Sequence, residues 1–326
     1  MARWRVCPLC VLGLLLQATF ASAQTVDPSL ALETWATVTD PMKISFDANE
    51  NLFAGRDNSG SGGGFGDAVK IHRIESDGLS FAEYGDSLIP DPDAVAVDID
   101  GIFGTVGAVL MGGIISNGSG GQIASVLPDE TVVALFGPTT SFHNVSDMVF
   151  DSTGRFLFTN YPNPSTSTAG IFASTGAGDF PSLLASTGVR VGGIAVDPSD
   201  RIFVSTEDGR IQIYDSAGAL IDANFVQSLG IAAAPLTLGQ LAGAPLSLYT
   251  VNSGGSLLEV DMLGVATTIG SGFAGAIDLE FGADGLLYIS ELSQDRVMRV
   301  PEASGMLLSG IVLLVGLARA RRLRGE

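Results

Sequence analysis

Six segments of the chain share one layout, and their spacing limits the fold more than any single motif does. Each reads as a short apolar strand, an Asp or Gly turn, a second strand carrying an aromatic residue, and a polar loop. They begin at Lys43 (KISFDANENLFAGR), Ala94, Asp147, Gly193, Gly239 and Asp278, with the turn at Asp47, Asp98, Asp151, Asp197, Gly243 and Gly282. The mean spacing between turns is 47 residues. A four-stranded propeller blade takes roughly 40 to 50 residues. One blade cannot bury both faces of its sheet alone, whereas radial stacking between two neighbours buries both and leaves only short edges. The expected fold is therefore all-β: a six-bladed β-propeller of four-stranded antiparallel blades, occupying 24–300. The last repeat has room for only two further elements. The segment from Leu30 to Val38, with Trp35 and the strand pattern of Thr34 and Thr37, supplies the strand that closes the ring.

Composition agrees with short strands and glycine turns rather than helices. Between Gln24 and Glu302 the chain carries 34 Asp and Glu against 10 Lys and Arg, a formal charge of −24. Such a surface repels nucleic acid and anionic lipid, so neither is an expected partner.

Two segments lie outside the expected domain. At the start, Arg3 and Arg5 precede the apolar stretch Val6 to Leu16 and the small residues Ala21-Ser22-Ala23. That order is a secretory signal peptide over 1–23, cut by signal peptidase after Ala23. Both cysteines, Cys7 and Cys10, fall inside it, which leaves the mature chain without thiol or disulfide chemistry. At the other end, Val300-Pro301-Glu302-Ala303 leads into the apolar run Met306 to Ala318 and then Arg319, Arg321, Arg322 and Arg324. A short transmembrane helix with its basic end in the cytoplasm is expected there.

The tail over 300–326 resembles the PEP-CTERM sorting signal of Gram-negative bacteria that make exopolysaccharide. The resemblance implies transient insertion in the inner membrane and processing by an exosortase-type protease. The protein would then reach the periplasm, the cell surface or the extracellular matrix. Ala303 departs from the proline of the family motif.

Several catalytic signatures are missing. The run from Asp47 to Asn51 resembles the first ligands of a calcium loop, but Leu52 and Asn58 stand where that loop needs glycine and glutamate, so Asp47 reads as a turn former. No Gly-x-Ser-x-Gly elbow occurs. The two histidines, His72 and His143, fall in different repeats without metal-ligand spacing, and are expected at the surface of loops or strands. The glycine-rich run Gly60 to Gly66 lacks the Gly-Lys-Ser/Thr ending of a phosphate loop and reads, like Pro162 to Gly170, as a loop on one face of the array.

Hairpin geometry yields a candidate site. The start of the first strand and the end of the second lie at one end of an antiparallel pair. Counting from each turn brings Lys43, Ala94, Asp147, Gly193, Gly239 and Asp278 together with Arg56, Gly107, Asn160, Thr206, Asn252 and Glu291 around the channel mouth. Converging carboxylates and amide oxygens are the hard ligands that calcium or magnesium prefers. Lys43 and Arg56 offer the alternative of pairing with those carboxylates.

Gly193 to Ser205 with GRIQIYDSAG from Gly209 resembles an NHL-type repeat, and the whole chain is similar to the SMP-30/gluconolactonase/NHL group of six-bladed propellers. In that group a divalent metal in the channel polarises a lactone carbonyl. The resemblance implies Glu291, Asn160, Asn252 and Asp147 as ligands for Ca2+ or another divalent cation, with Lys43, Arg56, Asp278 and Thr206 at the mouth. The leading expectation is a non-enzymatic binding or scaffold module that meets exopolysaccharide or surface proteins. A metal-dependent lactonase-like hydrolase is the alternative.

Overall fold

At Asp47, Asp151 and Asp197 one carboxylate oxygen accepts hydrogen bonds from backbone N–H groups two and four residues further on, at 2.8–3.0 Å. This local pairing satisfies the turn without help from the rest of the chain, which is why Asp recurs where one strand must reverse into the next. The second oxygen of Asp151 and of Asp197 binds the Nε of Arg155 and Arg201 at 2.8 and 2.7 Å.

The computed structural model describes residues 25–26, 32–57, 69–89, 91–115, 120–162, 167–227, 229–230, 234–241 and 243–300. The expected signal segment with Ala21 and Ala23, the expected sorting residues Pro301, Glu302 and Ala303 with the apolar run that follows, and the run Gly60 to Gly66 lie outside the described residues. Among the described residues no helix is long and apolar enough to cross a membrane.

The strands β1 (Thr25–Val26) and β2 (Glu33–Thr37) precede the blades. Blade 1 holds β3 (Pro41–Phe46), β4 (Leu52–Arg56), β5 (Val69–Ile74) and β6 (Phe81–Ile89); blade 2 holds β7 (Asp91–Asp98), β8 (Ala108–Ile114), β9 (Gly121–Val126) and β10 (Val132–Thr139). Blade 3 holds β11 (Asn144–Phe150), β12 (Phe156–Tyr161), β13 (Gly170–Ser174) and β14 (Ser182–Ser186); blade 4 holds β15 (Val191–Val196), β16 (Ile202–Thr206), β17 (Ile211–Tyr214) and β18 (Leu220–Val226). Blade 5 holds β19 (Leu236–Gly239), β20 (Ser247–Val251), β21 (Ser256–Val260) and β22 (Ala266–Ser271), with β1 added beyond β22. Blade 6 holds β23 (Ala276–Phe281), β24 (Leu287–Glu291) and β25 (Arg296–Val300), and β2 completes it.

The closing strand pairs Glu33 with Arg299 and Thr37 with Arg296, so the two ends of the domain share one sheet. All six sheets are antiparallel, and the six-bladed, four-stranded expectation holds.

Among the described residues six apolar clusters form the core, and each draws on two adjacent blades. One joins Leu110 and Phe136 of blade 2 to Phe156 and Phe158 of blade 3; another joins Trp35 and Tyr288 of blade 6 to Ile44 and Leu52 of blade 1. Six interfaces for six blades means the ring is closed by the same kind of contact throughout. Middle strands such as β8, β9 and β16 are buried along their length, because both of their faces meet a neighbouring blade. The outer strands β18 and β22 expose most of their residues.

Two expectations are corrected. His72 lies on β5, is 2 % exposed, and places Nε2 2.9 Å from the Thr39 carbonyl, so it is an interior residue. Blade 2 does not turn at Asp98 in the common way: its carboxylate accepts from Ile102 and Phe103 N–H at 2.9 and 2.7 Å and organises a longer loop before β8. A fixed count from the turn therefore lands Gly107 before the second strand instead of at its end.

Candidate functional site in the central channel

Five of the six inner strands break register with their second strand at the same level. The breaks fall between Pro41 and Ile44, Asp91 and Ala94, Val145 and Asp147, Val191 and Ile194, and Ala276 and Asp278. A bulge inserts an unpaired residue and re-aims its side chain. Met42, Lys43, Asp93, Ser146, Gly192 and Ile277, all within these breaks, line an upper chamber of ≈ 370 Å³. Asn144, Tyr161, Pro235, Val251, Asn252, Ser253 and Phe273 complete its wall. Gly55 sits opposite the first bulge, where a Cβ would lie 2.4 Å from the Pro92 carbonyl oxygen; only glycine lets the second bulge come this close.

Below these residues the channel is crossed by an ion triad. Lys43 Nζ donates to Asp147 Oδ2 and to Asp278 Oδ1, both at 3.0 Å. Asp147 Oδ2 also accepts from Ile194 N at 3.1 Å, and Asp278 Oδ2 from Ile44 N at 2.8 Å, so each carboxylate holds the backbone of the next blade. Lys43 borders the upper chamber, whereas Asp147 and Asp278 border a lower chamber, also of ≈ 370 Å³. The triad is the partition between the two. An ammonium has three N–H donors, and the two aspartates take two of them.

Burial by itself would lower the Lys43 pKa, but the charges of Asp147 and Asp278 reverse that and hold it above the ordinary lysine range. Burial pushes Asp278 up to about 7 against the pull of Lys43, and raises Asp147 as well. Glu280, half-buried in the wall of the lower chamber, is raised well above the usual carboxylate range by burial and by the two aspartates. In the upper chamber Asp93 is pushed up to about 8 by burial and by the charge of Asp91, with Asn144 and Lys43 opposing. Asn144 Nδ2 donates to Asp93 Oδ2 at 3.0 Å, and its buried Oδ1 has no hydrogen-bond partner among the described residues.

The structure distributes the four expected metal ligands. Asp147 is bound to Lys43. Asn160 is buried and latches a loop, accepting from His143 N at 2.8 Å and donating to the Thr168 carbonyl at 2.7 Å. Asn252 lines the upper chamber, but its Oδ1 already accepts from Gly254 and Ser256 N–H at 3.0 and 2.9 Å. Glu291 is 1 % exposed and binds Arg296 Nε at 2.7 Å.

Of the mouth residues, Lys43 and Asp278 meet in the triad, while Arg56 pairs with Glu83 at 3.0 Å and the Thr206 hydroxyl donates to Asp208 at 2.6 Å. Asn160, Arg56, Thr206 and Glu291 border neither chamber. Asp93, Asn144 and Tyr161 were not anticipated. For Asp93 the signal is the Asp91-Pro92-Asp93 run just before the second repeat, since proline within a strand marks a bulge; Asn144 and Tyr161 carry no comparable mark.

The divalent cation implied by the resemblance would need oxygen atoms left open to it. Between Asp147 and Asp278 the Lys43 ammonium already fills that role, and among the described residues no three His, Cys, Asp or Glu side chains are grouped to hold a metal ion. The residues at this centre do not fit a divalent ion.

No family model and no curated protein matches the chain. Solved structures do. A gluconolactonase from Xanthomonas campestris is similar with a TM-score of 0.62 at 16% identity, over 85% of this chain and 91% of the other. The PQQ-bound aldose sugar dehydrogenase of Streptomyces coelicolor gives 0.61 at 14% identity, over 84% and 99%. A streptogramin B lyase gives 0.54 at 11% identity, over 83% and 97%. At these identities the likeness shows the fold: the chain is a six-bladed propeller built like those of gluconolactonases and sugar dehydrogenases.

Proposed function

We propose that the chain is an exported propeller that binds a small carbohydrate-derived ligand in the upper chamber and hydrolyses lactones there. The observation that carries this reading is the alignment of five bulges, which turns Lys43 and Asp93 into one chamber of ligand size. Its walls alternate apolar surface from Met42, Pro235 and Phe273 with the polar groups of Asn144, Ser146 and Tyr161, a mixture suited to the C–H faces and hydroxyls of a sugar ring.

In this reading the remaining Lys43 donor polarises the lactone carbonyl, and the Asp93 carboxylate takes a proton from the attacking water. The ring C–O bond then breaks, and the departing oxygen recovers that proton from Asp93, which leaves a hydroxy acid. Because Asp93 releases its own proton only near pH 8, the rate should climb through that value. The similarity to gluconolactonase and sugar dehydrogenase structures supports a small carbohydrate-derived ligand more than a bare scaffold.

The test is acid release from aldonolactones across pH 6 to about 9, for the wild type and Asp93→Asn. Turnover that rises through about pH 8 and drops at least ~100-fold in the variant supports the proposal. Saturable lactone binding without turnover would leave a non-enzymatic binding module, the other reading of this chain. Neither binding nor turnover would sink both.

A further inference from the structure

The channel centre contains its own cation. We infer that Lys43 is a tethered replacement for the divalent ion that a carboxylate-lined propeller channel would otherwise require, and that the protein works without such a metal. The inference concerns the partition between the chambers and does not rest on lactone chemistry.

Three observations lead to it. First, Lys43 comes from blade 1 but binds carboxylates on blade 3 and blade 6, both at 3.0 Å, so it bridges separate blades as a bound ion would. Second, the aspartates are pre-positioned by the backbone and not by the lysine alone: Ile194 and Met148 N–H hold Asp147, and Ile44 N–H holds Asp278. Removing the ammonium would leave two anchored, inward-facing carboxylates. Third, the lysine side chain is 8% exposed and the aspartate side chains 9% and 5%, so bulk solvent cannot supply the missing charge. A buried carboxylate pair without a cation either takes up a proton or recruits an ion.

The two forms differ in the ions they respond to. The melting temperature of the full chain is measured in chelator and in millimolar Ca2+, Mg2+ or Mn2+, for the wild type, Lys43→Ala and Lys43→Arg. The melting temperatures of the wild type and of Lys43→Arg are each expected to be the same in chelator as with any of the three ions. Lys43→Ala is expected to melt lower in chelator and to recover by several degrees with at least one ion, a recovery lost when Asp147→Asn or Asp278→Asn is added. Recovery of folding by an ion, if Lys43→Ala is unfolded without one, supports the same conclusion. A wild-type shift with an ion that Asp147→Asn or Asp278→Asn abolishes would overturn the inference. So would a Lys43→Ala protein, folded or unfolded, that answers none of the three ions.

Discussion

Lys43 and Asp147 stand 104 residues apart in the chain and 3.0 Å apart at their charged ends. The contact passes over blade 2 and fastens blade 1 to blade 3 across the channel, while Asp278 ties the same ammonium to blade 6. Blade 3, which shares none of the apolar clusters with blade 1 or blade 6, is thus joined to both at a single atom. Asp147→Ala should leave both Lys43 and the Ile194 N–H short of an acceptor, and breaking a buried pair from one side costs about 3–5 kcal/mol. Chemical denaturation would measure it. A loss under about 1 kcal/mol would mean that the triad is not held as described.

Stability should decline toward alkaline pH. In the fold Asp93 keeps its proton up to about 8, whereas in an unfolded chain it releases it near ~4. Between those values the folded state binds more protons. Its advantage is therefore complete below about pH 4, is lost progressively as pH rises to about 8, and levels off above. Asp129, Asp179 and Asp200, lowered by hydrogen bonds from neighbouring N–H and hydroxyl groups, act in the opposite direction and lose their contribution only in acid. Asp93→Asn should melt several degrees above wild type at pH 9 and within about 2 °C of it at pH 5. Parallel curves for the two proteins would show that Asp93 is not strained by its charge.

Close approach at the bulges makes a prediction about glycine. A Cβ on Gly193 would lie 2.5 Å from Leu236 N and 2.7 Å from the Ala234 carbonyl oxygen, both backbone atoms of the adjoining blade. Gly193 N–H also donates to that carbonyl at 3.0 Å, so the clash falls on the contact that seats blade 4 on blade 5. Gly193→Ala is expected to cost about 1–3 kcal/mol by thermal or denaturant unfolding. Gly178, with nothing within 4 Å of an added Cβ, is the control and should accept alanine with little change.

Much of this architecture can be read from the residues in order. The Asp turns announce blades 1, 3 and 4 because each is satisfied by its own next four residues. The site is less legible for the opposite reason. The bulges of the innermost strands add one or two residues that no strand period predicts, while Asn160 and Glu291 stand one strand further out, where their side chains are spent on Thr168 and Arg296. Lys43 and Asp278 are found by counting back from the turns Asp47 and Gly282. Their pairing depends on which blades the ring brings opposite one another, which pattern alone does not contain.

Closure of the ring limits where the proposed leader could be cut. Trp35 on β2 meets Tyr288 edge-on at 5.0 Å and Phe46 at 6.5 Å, sealing blade 6 against blade 1. Trp35→Ala should cost about 3–5 kcal/mol, the usual loss for a buried tryptophan. The strand that carries it begins at Glu33, and Thr25 and Val26 already pair with Ser271 and Gly270 of blade 5. A leader peptidase cut after Ala23 spares both strands, whereas a cut beyond Glu33 would strip blade 6 of its fourth strand. If the chain is exported as proposed, N-terminal sequencing of the secreted protein should find a start at Gln24, ahead of both strands. A mature start inside β2 would contradict the closure, because the remaining three strands of blade 6 would face solvent along β25.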